Sequence, residues 1–242
     1  AIDRGGKRPE DVFVVRSGPS LERLRIIPPV EALKKGRKYL IGYVGVIGKQ
    51  EGLTYLVQAA EHIIKVLKRK DVHFICVGGG TDLHNIMDYA REKGVEDFFT
   101  FTGRVPDQQL LEALNTADIC VNPDEYNEMN DKSTMNKIME YMALKKPIVQ
   151  FDLTEGRFSA QEASLYAKPN DPVDMALKMI ELLENPEKRA YMGEFGYNRV
   201  KNKLEWQYEK ENLYRAYRKV FEIKDTISQH SNSPVSKPAV RS

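Results

Sequence analysis

The chain has 242 residues, 41% of them hydrophobic, and sets 37 Lys and Arg against 35 Asp and Glu for a formal net charge of +2. The apolar share is enough for a packed core, and the balanced charge excludes the basic stripe of a nucleic-acid binder. No run approaches the roughly 20 apolar residues of a bilayer span, and no signal peptide is visible.

The chain opens at Ala1, and AIDRGGKRPEDVFVVRSGP reads as the middle of a longer polypeptide. Residues 11–16 predict a strand. PSLERLRIIPPVEALKKG separates it from the apolar run that begins at residue 39, so 1–37 read as the end of a preceding domain and its linker. From residue 39 apolar runs and amphipathic stretches alternate. YLIGYVGVI (39–47) predicts a strand buried on both faces. The 3.6-residue spacing of Leu53, Leu56, Val57, Ala60, Ile63, Ile64 and Leu67 predicts a helix over 53–68. VHFICVGGG (72–80) predicts a strand, 83–93 a helix stopped by Gly94, and 98–105 a strand and turn. Asp107 reads as the N-cap of a helix over 108–116. DICVNP is a strand, 134–144 a helix, 147–151 a strand and SLYAKP a short strand. Helices occupy 171–185, 187–203 and 206–223, with Trp206 as a packing anchor where the last begins. The polar, Ser- and Pro-rich stretch 225–242 reads as a disordered tail.

This βα alternation predicts an α/β fold over 38–224, a Rossmann-like doubly wound parallel sheet with helices on both faces. Ligands in such folds sit beyond the carboxyl ends of the strands. The segments to weigh are therefore 45–52, 78–81, 103–105, 123–134 and 152–157. Gly78–Gly80 lacks the G-x-G-x-x-G spacing and reads as a tight turn. Cys76 and Cys120 lie inside apolar runs and read as reduced, buried thiols of a cytoplasmic protein. His62, His73, His84 and His230 are scattered without metal-ligand spacing.

STMNKIMEYMALKKPIVQFD (133–152) carries the most chemistry. A helix N-terminus leaves N–H groups unpaired and favours phosphates. Ser133 and Thr134 are small residues able to cap, and Glu140 lies about 10 Å further along the axis. Phosphate at the helix start and ribose hydroxyls on the carboxylate would suit a ribose diphosphate. A capped helix with a solvated acid fits the same spacing.

The region 38–221 resembles the nucleotide-sugar-binding half of a GT-B glycosyltransferase of family 4, the glycosyl transferases of group 1. YVGVIGKQEGLTYLVQAA, HFICVGGG, FTGRVPDQQLLEALNTADICVNP, KIMEYMALKKPIVQFD and PNDPVDMALKMIELLENPEKRAYMGEFGYNRV match that family's motifs in order. LEWQYEKENLYRAYRKV is similar to its terminal helix. The resemblance implies retaining transfer of a sugar from a UDP- or GDP-linked donor, with no cofactor and no metal. It implies donor contacts at Gly45, Arg104, Val105, Ser133, Thr134, Met135, Glu140 and Arg157. Glu140 would take the ribose, and Ser133–Met135 the diphosphate through backbone N–H. It also implies a preceding acceptor-binding domain, through which any peripheral membrane contact would run. The isolated half would then bind donor without turnover.

Three positions depart from the family pattern. Lys132 stands where a carboxylate eight residues before Glu140 is usual, and Val46 and Glu51 stand where the first loop usually carries Arg and Lys. Lys49 and Lys137 are the candidate catalytic cations in their place, although Lys137, one turn before Glu140, also fits a plain intrahelical contact. The side chains of Met135, Met139 and Met142 read as packing groups rather than as ligands. A nucleotide-sugar epimerase on the same fold and a non-catalytic nucleotide-binding partner are the competing functions.

Overall fold

The structure, a computed structural model, describes residues 1–231. The chain divides into two compact units, Gly18–Glu205, and Ala1–Ser17 together with the residues from Trp206 onward.

The larger unit is built on a six-stranded parallel sheet of order β3-β2-β1-β4-β5-β6. The strands are β1 (Tyr39–Val44), β2 (Val72–Val77), β3 (Phe99–Gly103), β4 (Ile119–Asn122), β5 (Ile148–Phe151) and β6 (Ser164–Ala167). The helices are α1 (Leu53–Glu61), α2 (Leu83–Glu92), α3 (Asp107–Thr116), α4 (Asn136–Ala143), α5 (Thr154–Ala160), α6 (Pro172–Glu184) and α7 (Pro186–Arg199). Every residue of β1, β2, β4 and β5 is buried, which is why these strands read as continuous apolar runs rather than alternating ones. Successive side chains still go to opposite faces. Tyr39, Ile41 and Tyr43 join one core with Leu56, Val57 and Met179. Leu40 and Val44 join the other with Leu111, Leu114, Ile138 and Met142. Cys76 and Cys120 are buried and free, and burial raises both thiols.

The strand order reverses between β1 and β4, which pair only at Ile41↔Ile119 and Gly42↔Cys120. Past that point the strands part, and the Tyr141 side chain of α4 fills the gap. Its hydroxyl accepts from Val44 N–H at 2.9 Å and donates to the Val121 carbonyl at 3.2 Å. Two backbone groups that the ladder cannot satisfy are thereby paired.

The stretch 18–37 is packed rather than loose. Leu24 is buried against α3, Asn115 accepts from Ile27 N–H at 3.2 Å, and Thr116 accepts from Val30 N–H at 2.8 Å.

His73 in β2 is buried and held at both ring nitrogens. Arg37 Nη1 is 2.9 Å from Nδ1, and Thr100 Oγ1 is 2.8 Å from Nε2. A guanidinium only donates, so Nδ1 accepts and Nε2–H donates, which fixes the neutral ring. Burial, with Arg37 adding to it, pushes the imidazole down to about 4. A histidine depressed in the folded state binds its proton first in the unfolded chain. Its contribution is therefore complete above the ordinary value near 6.5 and is lost as pH falls towards 4. Urea unfolding at pH 7.5 and pH 4.5 is expected to show up to about 3 kcal/mol of acid destabilisation from this group. His73→Asn is expected to remove that part of the slope, and an unchanged slope would refute the assignment.

Several boundaries differ from the sequence reading. α1 ends at Glu61 and continues as one π-type turn, His62–Val66. Asp107 is the first residue of α3 rather than its cap, because its carboxylate is taken by Arg23. The cap position falls to Pro106, which makes no side-chain cap bond.

In the smaller unit, residues 11–16 form no strand. A 3₁₀ turn, Pro9–Asp11, leads into extended chain with Val14 exposed and, among the described residues, no neighbouring strand to complete a ladder. The helix α8 runs from Trp206 to Ser231. It therefore continues through the first residues of the stretch read as a tail, while 232–242 lie outside the described residues. Lys219 of α8 joins Asp11 at 2.7 Å and the Glu10 carbonyl at 2.6 Å. Trp206 keeps 39% of its surface exposed. Among the described residues no helix is long and apolar enough to cross a membrane.

Candidate functional site

The loops beyond β1, β2 and β4 interlock where the strand order reverses. Gly78 has φ +133°, and a Cβ there would lie 1.9 Å from the Gly45 carbonyl oxygen. A Cβ on Gly45, at φ +155°, would lie 2.8 Å from Tyr43 Oη and 3.2 Å from Lys137 Cε. Glycine is needed at both because backbone at Gly78, and the Tyr43 hydroxyl with the lysine stem at Gly45, occupy the space a side chain would take. Gly45 thus meets Lys137 in the structure, a contact that no sequence spacing announced.

The segment after β4 is stitched to its surroundings. Asn127 caps the single helical turn Glu128–Asp131 by accepting from Asn130 N–H at 2.9 Å. Asn130 Nδ2 donates to the Gln50 and Glu125 carbonyls at 2.9 and 2.8 Å. Asp131 accepts from Thr154 N–H and Oγ1 at 2.8 and 3.0 Å, so the start of α5 already has its anion.

Ser133 and Thr134 do not cap α4. The helix begins at Asn136, two residues later than read, because both hydroxyls are engaged elsewhere. Ser133 Oγ donates to the Met129 carbonyl at 2.6 Å, and Thr134 Oγ1 donates to Glu155 at 3.1 Å. Met135 takes the cap position in an extended conformation and has no side-chain cap bond. The first turn of α4 thus carries uncapped N–H groups and no acid.

Lys137 stands in that first turn. Its ammonium is 2.6 Å from Asp124 Oδ1, with side-chain exposures of only 11% and 2%. It also lies 5.3 Å from the centre of the Tyr43 ring. Tyr43 is itself fixed, donating to the Val46 carbonyl at 2.7 Å. Burial pushes the Asp124 carboxyl up, with Lys137 opposing. Asp124 Oδ2, Asn122 Oδ1 and Gln150 Oε1 are buried without a hydrogen-bond partner. All three stand at or just past the carboxyl ends of β4 and β5, where Asn122 and Gln150 are register partners.

Glu140, one turn further along α4, keeps 22% of its side-chain surface exposed. Burial pushes its carboxyl up, with Arg23 opposing. Arg23 Nη1 is 4.0 Å from Glu140 Oε1 and grips Asp107 at 2.9 and 3.0 Å. The same aspartate acts on Glu140 as a like charge.

The other candidates lie in different settings. Lys49, in the turn Lys49–Glu51, lines a cleft of about 600 Å³ with Gly48, Thr81, Asp82, Asn85 and Glu125. Lys137 and Glu140 do not figure in that lining. Glu51 folds back to accept from Gly48 N–H at 3.1 Å, and Val46 is exposed. Lys132 pairs with Glu128 at 2.7 Å on the surface. Arg104 lies beyond β3 with its stem 3.5 Å from where a Gly79 Cβ would be. Val105 and Met135 pack against one core cluster. Arg157 is bound to Asp152 at 2.7 and 2.6 Å and lies 4.0 Å over the Tyr166 ring. The structure therefore brings together Gly45, Lys137 and Asp124, with Glu140 a turn away, and leaves Lys49 and Arg157 in surroundings of their own. Among the described residues no cluster of three or more His, Cys, Asp or Glu could hold a metal ion.

Sequence reasoning missed Arg23, Asp124 and Tyr141. Asp124 had a signal, standing two residues past β4 in a segment already marked for inspection. Arg23 had none, since its partners are 84 residues or more away.

Residues 38–185 match the model of a family described as glycosyl transferases, group 1. An uncharacterised glycosyltransferase of Methanocaldococcus jannaschii is 23% identical over 217 residues, covering 88% of this chain and 53% of that protein. The chain thus spans about half the length of this relative. Among solved structures, Anabaena HepE in complex with UDP and glucose is similar, with a TM-score of 0.71 and 14% identity over 88% of this chain and 58% of that one. The C-terminal domain of LpcC, a glycosyl transferase group 1 protein of Francisella tularensis, has a TM-score of 0.63 and 20% identity. That match covers 78% of this chain and 99% of that domain.

Proposed function

The chain belongs to the glycosyl transferases group 1 family and has a Rossmann-like fold shared with GT-B enzymes, and from that membership we propose that it is the half of a glycosyltransferase that holds a nucleotide diphosphate sugar. The observation that carries this reading is α4, whose uncapped N-terminus, buried cation and half-buried carboxylate succeed one another at the strand crossover. The N–H groups of its first turn and Lys137 would take the diphosphate, and Glu140 the ribose hydroxyls. Arg104 and Val105 would face the base, and Lys49 and Arg157 are secondary candidates for phosphate or sugar.

The chemistry we propose is retaining transfer of a hexose to a glycan or lipid-linked acceptor. Fixed amides and ammonium charge would stabilise the departing diphosphate, whose own oxygen would help the acceptor hydroxyl lose its proton. In this reading the charge comes from the chain's own cations, with no metal. The acceptor would be bound by a further domain, and this chain alone would bind donor without turnover.

The test is calorimetry of this chain against UDP, GDP and ADP. One of them is expected to bind, and Glu140→Ala is expected to weaken that binding by about ten- to hundredfold, the loss of one or two hydrogen bonds to a charged group. Equal binding by the variant would overturn the ribose assignment.

A further inference from the structure

We propose that Asp124 is a positioning residue of this site, which aims the Lys137 ammonium at the diphosphate. The inference rests on the donor-binding reading above and adds a residue to it. A lysine stem has four rotatable bonds, and an ammonium serves a phosphate only if it is held where the phosphate will be. Here three neighbours hold it, and the helix fixes the stem's origin. Asp124 Oδ1 accepts at 2.6 Å, the Tyr43 ring lies 5.3 Å away, and the Gly45 turn packs so close that a Cβ there would come within 3.2 Å of Lys137 Cε. Asp124 is itself packed among its neighbours, its side chain 2% exposed. An ammonium has three donors and the carboxylate uses one, so the rest remain for a ligand.

The location argues against a purely structural pair. A buried Lys–Asp pair is at best neutral for stability against apolar residues of the same size. This one sits beside the glycine loop of β1 and the uncapped start of α4, where an anion would gain from a fixed positive charge. The other ionisable groups facing it are Tyr43, Glu51 and Glu140; two of these are carboxylates, but the hydrogen bond of the Lys137 ammonium goes to Asp124 at 2.6 Å, so it is Asp124 that sets its direction.

The sign of one substitution separates aiming from neutralising. If the carboxylate only cancelled charge, Asp124→Asn would free an ammonium and tighten diphosphate binding. If it aims the ammonium, the same change weakens diphosphate binding while nucleoside affinity stays put. The measurement is calorimetry of this chain, wild type, Asp124→Asn, and the double variant Asp124→Asn/Lys137→Met, with UDP, GDP and ADP and with the parent nucleosides. Circular dichroism checks that each is folded. Asp124→Asn is expected to lose about tenfold in diphosphate affinity, with nucleoside affinity within about twofold of wild type. The double variant is expected to bind diphosphate no more than about twofold worse than Asp124→Asn. Unchanged or tighter diphosphate binding in Asp124→Asn overturns the positioning role alone. Failure of the wild-type chain to bind any of the three diphosphates overturns the donor reading and this role together.

Discussion

Lys137→Ala is expected to destabilise the chain by about 3–5 kcal/mol in urea unfolding at pH 7.5, the cost of leaving a buried charge without its partner. Asp124 stays behind with its side chain 2% exposed and one oxygen already lacking a hydrogen bond. Its carboxyl is raised by burial even with Lys137 present, and removing the lysine raises it further. A carboxyl whose folded value lies above its unfolded one holds its proton more tightly in the folded chain. The penalty therefore grows as pH rises from the ordinary value near 4 through the raised one. Lys137→Ala should accordingly be less harmful at pH 5 than at pH 8. Lys137→Met combined with Asp124→Asn should recover most of the loss, because a neutral pair of similar volume carries no ionic desolvation. A single variant as stable as wild type at pH 8 would show that the pair is not buried in solution.

Gly78→Ala is expected to cost about 4 kcal/mol or more, while Gly103→Ala, at the facing position, costs only about 1 kcal/mol. The contrast comes from the surroundings and from the backbone angle, since φ near +66° lies in the left-handed range open to L-residues and φ near +133° does not. Gly103 has φ +66° with nothing within 4 Å of an added Cβ. Gly78 has φ +133° and would place its Cβ 1.9 Å from the Gly45 carbonyl oxygen. No flexible side chain can yield there, since both parties are backbone. Relief requires the β1 loop to move, which breaks the Gly45 N–H bond to Val77 or the Gly78 N–H bond to Gly103, both near 3 Å. Thermal unfolding of the two variants side by side is the check. Equal midpoints would mean that the loops beyond β1 and β2 are not in contact.

The sheet was legible in the sequence for a definite reason. Parallel strands buried on both faces read as near-continuous apolar runs, and 39–47, 72–80 and 147–151 announced themselves in that way. The strand expected at 11–16 failed because an apolar run needs an adjacent strand, which a one-dimensional pattern does not supply. The start of α4 was misplaced because Ser133 and Thr134 are good caps in general, and nothing local reveals that Met129 and Glu155 claim their hydroxyls. Asp107 was misread as a cap by the same route, through Arg23. Of the candidate site, Gly45, Lys137 and Glu140 could be singled out because each lies just past a strand or on one helix. What joins them, Asp124 below the lysine and Arg23 beside the glutamate, comes from contacts that spacing does not encode.

Tyr141 gives that assembly its stiffness. The half-sheets β3-β2-β1 and β4-β5-β6 share two register pairs and then a phenol, which is bonded to one half through Val44 and to the other through Val121. Glu140 is the residue immediately before that phenol. The backbone from which its side chain springs is therefore surveyed from two fixed points at once, like a mark located by triangulation, and that origin shifts only if one of two buried bonds gives way. Shear between the halves of the sheet would strain the two bonds of the Tyr141 hydroxyl, one residue along the chain from the proposed ribose contact.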